Sequence, residues 1–78
     1  MPTVLRIDGF IFRIYPNDHT PAHVHVRRAE HEVRVTLVII EVKTNAGFNS
    51  REIARILEIV EENREELLRV WDSYHPYR

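Results

Sequence analysis

The sequence predicts a single α+β domain, in which a small antiparallel sheet of three to four strands is covered on one face by a long C-terminal helix. Apolar and polar residues alternate in the first half of the chain, and apolar residues recur with a helical period in the second half. A chain of 78 residues has room for one domain, so we expect residues 1–78 to form it. A domain of this size buries about 60–65% of its unfolded surface, so its core is thin.

The strand-like segments come first. Residues 4–7 form a short apolar run, and Asp8-Gly9 is a hairpin turn before the aromatic and β-branched residues 10–15. Two alternating runs follow, at residues 23–27 and 32–37, and the connection between them lacks a glycine. Successive side chains of a strand point to opposite faces of its sheet, so these runs predict one apolar and one polar face.

The two predicted faces differ in chemistry. The apolar face is expected to form the core and carries Phe10, Phe12, Ile14, Val24, Val26, Val33, Val35 and Leu37. The opposite face, called the polar face below, collects histidine, arginine and tyrosine, with one acidic member: Arg13, Tyr15, His23, His25, Arg27, Glu32, Arg34 and Thr36. The polar face is our candidate functional surface.

The second half of the chain is predicted to be helical. Asn49 and Glu52 have the spacing of a capping box, and a regular apolar stripe follows through Trp71. A continuous helix over residues 50–74 would be roughly 37 Å long. A compact domain of this size is about 30 Å across. We therefore expect the helix to break near residues 62–63 or to project, and we expect His75 to be frayed.

The composition excludes several classes of protein. With no cysteine, the chain has no disulfides, thiol catalysis or thiolate zinc sites. A net charge of −1 lacks the positive excess of a general nucleic-acid binder, although ten of the eleven basic residues are arginine, which suits phosphate contact. The sequence has neither a secretory signal pattern nor an apolar run of membrane-spanning length. We expect a complete, cytoplasmic protein with no membrane contact.

A histidine-rich segment carries the candidate chemistry. His23 and His25 stand two apart on a strand, with Cβ atoms about 6.5–7 Å apart, and Asp18 and His19 lie in the loop before them. One interpretation is a metal site, in which His19, His23 and His25 hold zinc or another transition metal and leave a fourth position open. A second, simpler interpretation is that these are solvated residues of an exposed sheet.

A third interpretation is metal-free cleavage of RNA. One group must take the 2′-hydroxyl proton and another must protonate the leaving oxygen, and histidine does both near neutral pH. The candidate catalytic residues are Asp18, His19, His23 and His25. The candidate substrate-binding residues, which would stabilise phosphate charge or stack on a base, are Arg13, Tyr15, Arg27 and Arg34.

The sequence also resembles a known family over nearly its whole length. The resemblance rests on residues 3–9, on Asn17-Asp18-His19 with Pro21, on His23-Val24-His25-Val26, and on residues 45–48 before a helix ending in Trp71. These segments look like a small bacterial family catalogued as a domain of unknown function (number four-one-six-zero). Some of its members are described as DhiT-type toxins of type II toxin–antitoxin modules and are encoded beside a second small protein.

The resemblance implies a toxin, with the neighbouring protein as its cognate antitoxin, and it makes Asp18, His19, Pro21, His23 and His25 family-motif positions. Three functional hypotheses follow. The chain is a toxin acting on RNA without a cofactor, a non-enzymatic protein-binding module, or a histidine-based metal-binding domain. The expected partners are the antitoxin, RNA and, given the thin core, a second copy in a homodimer.

Overall fold

The computed structural model describes residues 3–78, so Met1 and Pro2 of the predicted domain lie outside the described residues. Five strands and two helices follow one another: β1 Thr3–Ile7, β2 Phe10–Arg13, β3 His23–Arg28, β4 His31–Thr36, β5 Glu41–Ala46, α1 Ser50–Glu62 and α2 Arg64–Tyr74. The strands form one antiparallel sheet in chain order. The predicted α+β class is confirmed.

The sheet has five strands, so the prediction of three to four was wrong. The additional strand, β5, pairs with β4 from Glu32↔Ala46 to Thr36↔Glu41 and forms one edge of the sheet. All six residues of β5 are exposed. The segment escaped prediction because a strand that buries neither face needs no apolar alternation.

Both tight turns require residues with positive φ, and the residue types of the first turn adopt it more readily than Ala29 of the second. Asp8 and Gly9, the predicted hairpin turn, both have positive φ, at 54° and 80°, as a type I′ turn requires. In the second hairpin, Ala29 lies at φ 56°, a region that glycine adopts without steric cost. The connection between β3 and β4 is therefore a tight turn despite its lack of glycine.

The predicted apolar face forms the core. Its eight residues are at most 2% exposed, and the side chains that pack against them come from the segment just before α1 and from both helices: Phe48, Ile56, Ile59, Val60, Leu67, Leu68 and Trp71. At 25 cal/mol per Å², burial of each large aliphatic or aromatic side chain contributes about 1.5–3 kcal/mol. The alternation in the sequence thus identifies the helix-covered face correctly.

The C-terminal helix is broken at Asn63 and is not one long helix. Asn63 has φ −115° and ψ 17°, and its side-chain amide donates to Ile59 O at 2.8 Å. Arg64, the first residue of α2, donates from Nε to Leu37 O (2.6 Å) and from Nη2 to Val38 O (2.9 Å). These two bonds fix α2 against the end of β4. Within residues 3–78, neither helix is long and apolar enough to cross a membrane.

The start of α1 agrees with the predicted capping box. The Asn49 side chain accepts from Glu52 N at 2.8 Å, and Glu52 Oε1 accepts from Asn49 N at 2.9 Å. Glu52 Oε2 also accepts from Arg28 Nη2 at 2.6 Å, which ties α1 to the end of β3.

The C-terminal segment, residues 75–78, is ordered against the loop between β2 and β3. The ring of His75, which was expected to be frayed, contacts Tyr15 O through Nε2 at 3.0 Å. The backbone N–H of Ala22 donates to Arg78 O at 2.7 Å. The expectation for His75 was wrong because this contact spans 60 residues and has no local sequence pattern.

Candidate functional site

His23 opens β3 and is buried, with 6% of its surface exposed. The Trp71 ring of α2 lies over it, with centroids 5.4 Å apart, and is itself stacked on His75. The prediction that His23 and Thr36 lie on a solvent-exposed face was wrong, because both are buried. Residues from the far end of the chain, brought in by the fold, cover this end of β3.

The loop after β2 folds back on itself and carries Asp18 to the same place. Asp18 N donates to Tyr15 O at 3.2 Å, and Tyr15 N donates to Asp18 Oδ2 at 3.4 Å. This turn holds the carboxylate beside β3.

Asp18, His23 and His25 meet in one cluster, called the DHH cluster below. Asp18 Oδ2 lies 3.0 Å from His25 Nε2 and 3.4 Å from His23 Nε2. The other ring nitrogens have partners of their own: His23 Nδ1 lies 2.8 Å from Pro21 O, and His25 Nδ1 lies 3.1 Å from Glu32 Oε2. Both imidazoles therefore direct Nε2 towards the same carboxylate oxygen.

The hydrogen bond to Pro21 determines where His23 carries its proton. A backbone carbonyl only accepts, so His23 Nδ1 must be the donor, and the neutral ring then has a lone pair on Nε2. This Nε2 is buried without a hydrogen-bond partner in the described chain. Burial lowers the pKa of His23, although the bond to Pro21 and the Asp18 carboxylate oppose the shift. The 3.4 Å contact with Asp18 is thus an ion pair only when the ring is protonated.

A cleft of about 300 Å³ opens beside the DHH cluster. It is lined by polar and charged residues from the loop and from three strands: Asn17, Asp18, His19, Thr20, Pro21, His23, Arg34, Thr36, Lys43 and Thr44. Arg34 and Lys43 are exposed and form no ion pair within residues 3–78. The cleft therefore combines the two cations, which can bind an anion, with the imidazole of His23, whose Nε2 is buried beside Asp18.

Three of the four predicted catalytic residues lie in the DHH cluster, and the fourth lies on the wall of the cleft. Asp18, His23 and His25 form the cluster, and their ligand atoms all lie within 4.8 Å of one another. His19 is exposed on the cleft wall and lies outside that group. Asp18 therefore takes the position that the metal interpretation gave to His19.

Of the predicted substrate-binding residues, only Arg34 lines the cleft. Arg27 lies 3.8 Å from Glu32, and Arg13 donates to the Thr3 hydroxyl at 3.2 Å. The Tyr15 ring packs edge-on against His25, with centroids 4.8 Å apart. Contact of RNA with Arg13, Tyr15 and Arg27 stays a prediction.

Sequence reasoning missed two residues of the site. Lys43 was left without a role because β5 was not predicted, and the β-branched Val42 and Thr44 on either side of it are the only local sign of a strand. Glu32 was placed on the polar face, but its pairing with His25 depends on the register of β3 against β4. Register is set by the whole hairpin, so no short motif indicates it.

Comparison with known proteins gives one family. Residues 9–72 match the family described as Domain of unknown function (DUF4160). No curated protein and no solved structure gives a significant match. The matched stretch contains the whole DHH cluster and the cleft around it.

Proposed function

The chain belongs to the DUF4160 family, whose function is unknown, and from its site we propose that it is the toxin of a type II toxin–antitoxin module that cleaves RNA in the cleft. One observation carries the proposed activity: the imidazole of His23 and two exposed cations, Arg34 and Lys43, line one cleft. The sequence resemblance to toxin members supports the toxin assignment.

The proposed reaction needs a base and an acid. A base removes the 2′-hydroxyl proton, the 2′-oxygen attacks the adjacent phosphorus, and the bond from phosphorus to the 5′-oxygen breaks as that oxygen takes a proton. His23 Nε2 is the candidate base. His19, exposed on the cleft wall, is the candidate acid in its protonated form. The products are a 2′,3′-cyclic phosphate and a 5′-hydroxyl.

Other residues of the site bind the phosphate or position the histidines and do not take part in proton transfer. Arg34 and Lys43 bind the phosphate and stabilise the charge that develops on its oxygens. Asp18 and His25 act as positioning residues, because Asp18 contacts the Nε2 atoms of both histidines. DNA has no 2′-hydroxyl and is not expected to react.

The test uses purified protein, RNA and DNA of the same sequence. We expect wild type to cleave RNA only. His23→Asn keeps a donor near Pro21 O but removes the Nε2 lone pair, so the rate should fall about 10²–10⁴-fold. Arg34→Ala should also lose activity, whereas Arg51→Ala, which removes an exposed arginine of α1 outside the cleft, should not. Folded wild-type protein that leaves RNA intact would sink the proposal.

A cellular test addresses the toxin assignment. Induced expression of wild type should arrest bacterial growth and fragment total RNA, and His23→Asn should do neither at equal protein level. Growth arrest by both proteins would show that toxicity does not depend on this imidazole. Co-expression of the protein encoded next to the gene should restore growth.

A second candidate function, protein binding, is favoured by the edge of the sheet. Val38, Ile39 and Val42 are 48%, 70% and 37% exposed beside the open edge strand β5. Lys43 of this strand also lines the cleft, so a protein paired along β5 would cover the cleft wall. We propose this edge as the antitoxin site. Ile39→Asp with Val42→Asp should abolish antitoxin binding and leave RNA cleavage unchanged.

A further inference from the structure

We infer that Asp18, His23 and His25 form a mononuclear site for a divalent transition-metal ion of the zinc class. The inference rests on the site of the proposed function and refines its chemistry, but metal binding can be measured without RNA. It replaces the trio of histidines that the sequence suggests by two histidines and one carboxylate.

The distances within the DHH cluster fit a shared ion. Asp18 Oδ2 is 3.0 Å from His25 Nε2 and 3.4 Å from His23 Nε2. Two ligand atoms that each bind zinc at about 2.0–2.1 Å with a tetrahedral angle stand about 3.3 Å apart. The three ligand atoms all lie within 4.8 Å of one another, so only the third distance needs to close. The cluster is therefore nearly preorganised for a metal ion.

The partners of Nδ1 in the two histidines are of the kind found in metal sites. A metal-binding histidine usually donates its second ring N–H to a carbonyl or a carboxylate, which fixes the orientation of the ring. His23 has Pro21 O in this position at 2.8 Å, and His25 has Glu32 Oε2 at 3.1 Å. When each neutral ring carries its proton on Nδ1, both Nε2 lone pairs are left for a ligand at the same point.

The buried nitrogen of His23 supplies a separate reason. His23 is 6% exposed, and its Nε2 faces the Asp18 carboxylate without a hydrogen-bond partner in the part of the chain that the structure describes. A buried polar atom without a partner destabilises the fold, because it loses its hydrogen bonds to water and gains none in return. A proton on His23 would join one nitrogen to the carboxylate, whereas a metal ion would bind both nitrogens and the oxygen at once.

The donor set selects the kind of ion. Imidazole suits zinc and its neighbours in the first transition series, whereas Mg²⁺ and Ca²⁺ prefer oxygen ligands. Three protein ligands leave a coordination position for water, which is the arrangement of catalytic zinc sites. Asp18 and His23 also line the cleft. In the proposed reaction, the bound water would lose a proton to solvent, and the resulting hydroxide would take the 2′-hydroxyl proton in place of His23.

The experiment is a calorimetric titration of the chelator-stripped full chain with Zn²⁺, with Mg²⁺ as the comparison ion. We expect one Zn²⁺ per chain and no Mg²⁺ binding under the same conditions. Asp18→Asn and His25→Gln should each weaken Zn²⁺ binding at least 100-fold, and Glu32→Gln about 10–100-fold. His19→Ala, in the same loop but outside the cluster, should bind as wild type does. Circular dichroism checks that each variant is folded.

A spectroscopic readout separates a built site from adventitious binding. Co²⁺ in the wild-type site should give visible ligand-field bands that Asp18→Asn alters and His19→Ala does not. Folded wild type that binds no stoichiometric Zn²⁺, or binding that only His19→Ala removes, overturns the inference.

The two proposals fail in different ways. Zinc binding without RNA cleavage keeps the metal site and removes the RNA function. RNA cleavage at full rate in EDTA by protein that binds no Zn²⁺ keeps the function and removes the metal site.

Discussion

Two neighbouring residues of β3, His23 and Val24, show how the two faces of the sheet differ. Both are buried, at 6% and 0% exposure. Val24 belongs to the apolar cluster beneath the helices, whereas His23 has a buried nitrogen without a hydrogen-bond partner among residues 3–78. Natural proteins satisfy nearly all buried polar atoms, so this nitrogen calls for a partner that those residues do not supply, such as an ordered water or an ion. Burial alone would have assigned both residues to the core.

The largest expected effect comes from the helix-covered face. Phe12→Ala removes a ring with no exposed surface from the core and should lower the free energy of unfolding by about 3–5 kcal/mol. Urea-induced unfolding measures the change. The control is Val42→Ala on the exposed strand β5, which should stay within about 0.5 kcal/mol of wild type. Equal losses in the two variants would contradict the division between a buried core and an open edge.

The next effect concerns Arg64, which joins α2 to the end of β4. Arg64→Ala leaves Leu37 O and Val38 O without their charged donor and should cost about 1.5–3 kcal/mol. Arg69→Ala on the same helix removes an exposed ion pair with Glu66 and should cost little. Chemical denaturation of both variants gives the comparison. If the two changes have the same effect, the backbone contacts of Arg64 are not what holds α2 in place.

A pH series sharpens the contrast between His23 and its apolar neighbour. Because burial lowers the pKa of His23 below the value of about 6.5 in the unfolded chain, the unfolded chain binds this proton first as the pH falls. In chelator, the free energy of unfolding should therefore decrease as the pH falls below about 6.5. Asp18, His25 and Arg34 also act on this ring and are unchanged in the comparison.

The control for this series is His23→Asn, which cannot titrate. Its free energy of unfolding should depend less on pH between 6.5 and the lower folded-state pKa of His23. Urea unfolding at several pH values measures both proteins. Parallel curves for the two would show that another group causes the dependence.

The smallest effect is expected in the hairpin that joins β3 and β4. Ala29 has φ 56°, which disfavours any residue with a Cβ atom, so Ala29→Gly should stabilise the fold by about 0.5–1 kcal/mol. Zinc binding and RNA cleavage should not change, because the turn lies outside the cleft. Glu30→Gly is the matched change at the neighbouring position without positive φ, and thermal unfolding should show no gain there.

Local chemistry explains which parts of the fold the sequence predicted. The alternation around Val24 and Val33, the Asp8-Gly9 turn and the Asn49 cap each depend on residues close together in the chain. Comparing helix length with domain size left two alternatives, a break near residues 62–63 or a projecting helix, and the structure has the break. Each of these features is set by backbone geometry and side-chain periodicity, so no tertiary contact was needed.

The parts that escaped prediction depend on tertiary contacts. β5 is a strand because its backbone pairs with β4, whereas all six of its own residues are exposed. His23 is buried because Trp71 lies over it, a contact that no pattern within the histidine motif reveals. The motif predicted a candidate site, and the structure brings Asp18, His23 and His25 of that motif together. Which carboxylate meets the imidazoles, and from which side the site is covered, came only from the structure.

The contact between His75 and Tyr15 also determines when, during synthesis of the chain, the loop that carries Asp18 acquires its packing partner. A ribosome makes roughly 5–20 residues per second. His75 follows Tyr15 by 60 residues, so the loop that carries Asp18 is synthesised several seconds before the segment that packs against it. During those seconds Trp71 is also missing, and His23 is open to solvent. A nascent chain would thus carry Asp18, His23 and His25 but not their final arrangement, and the DHH cluster would be completed only after the rest of the domain has been made.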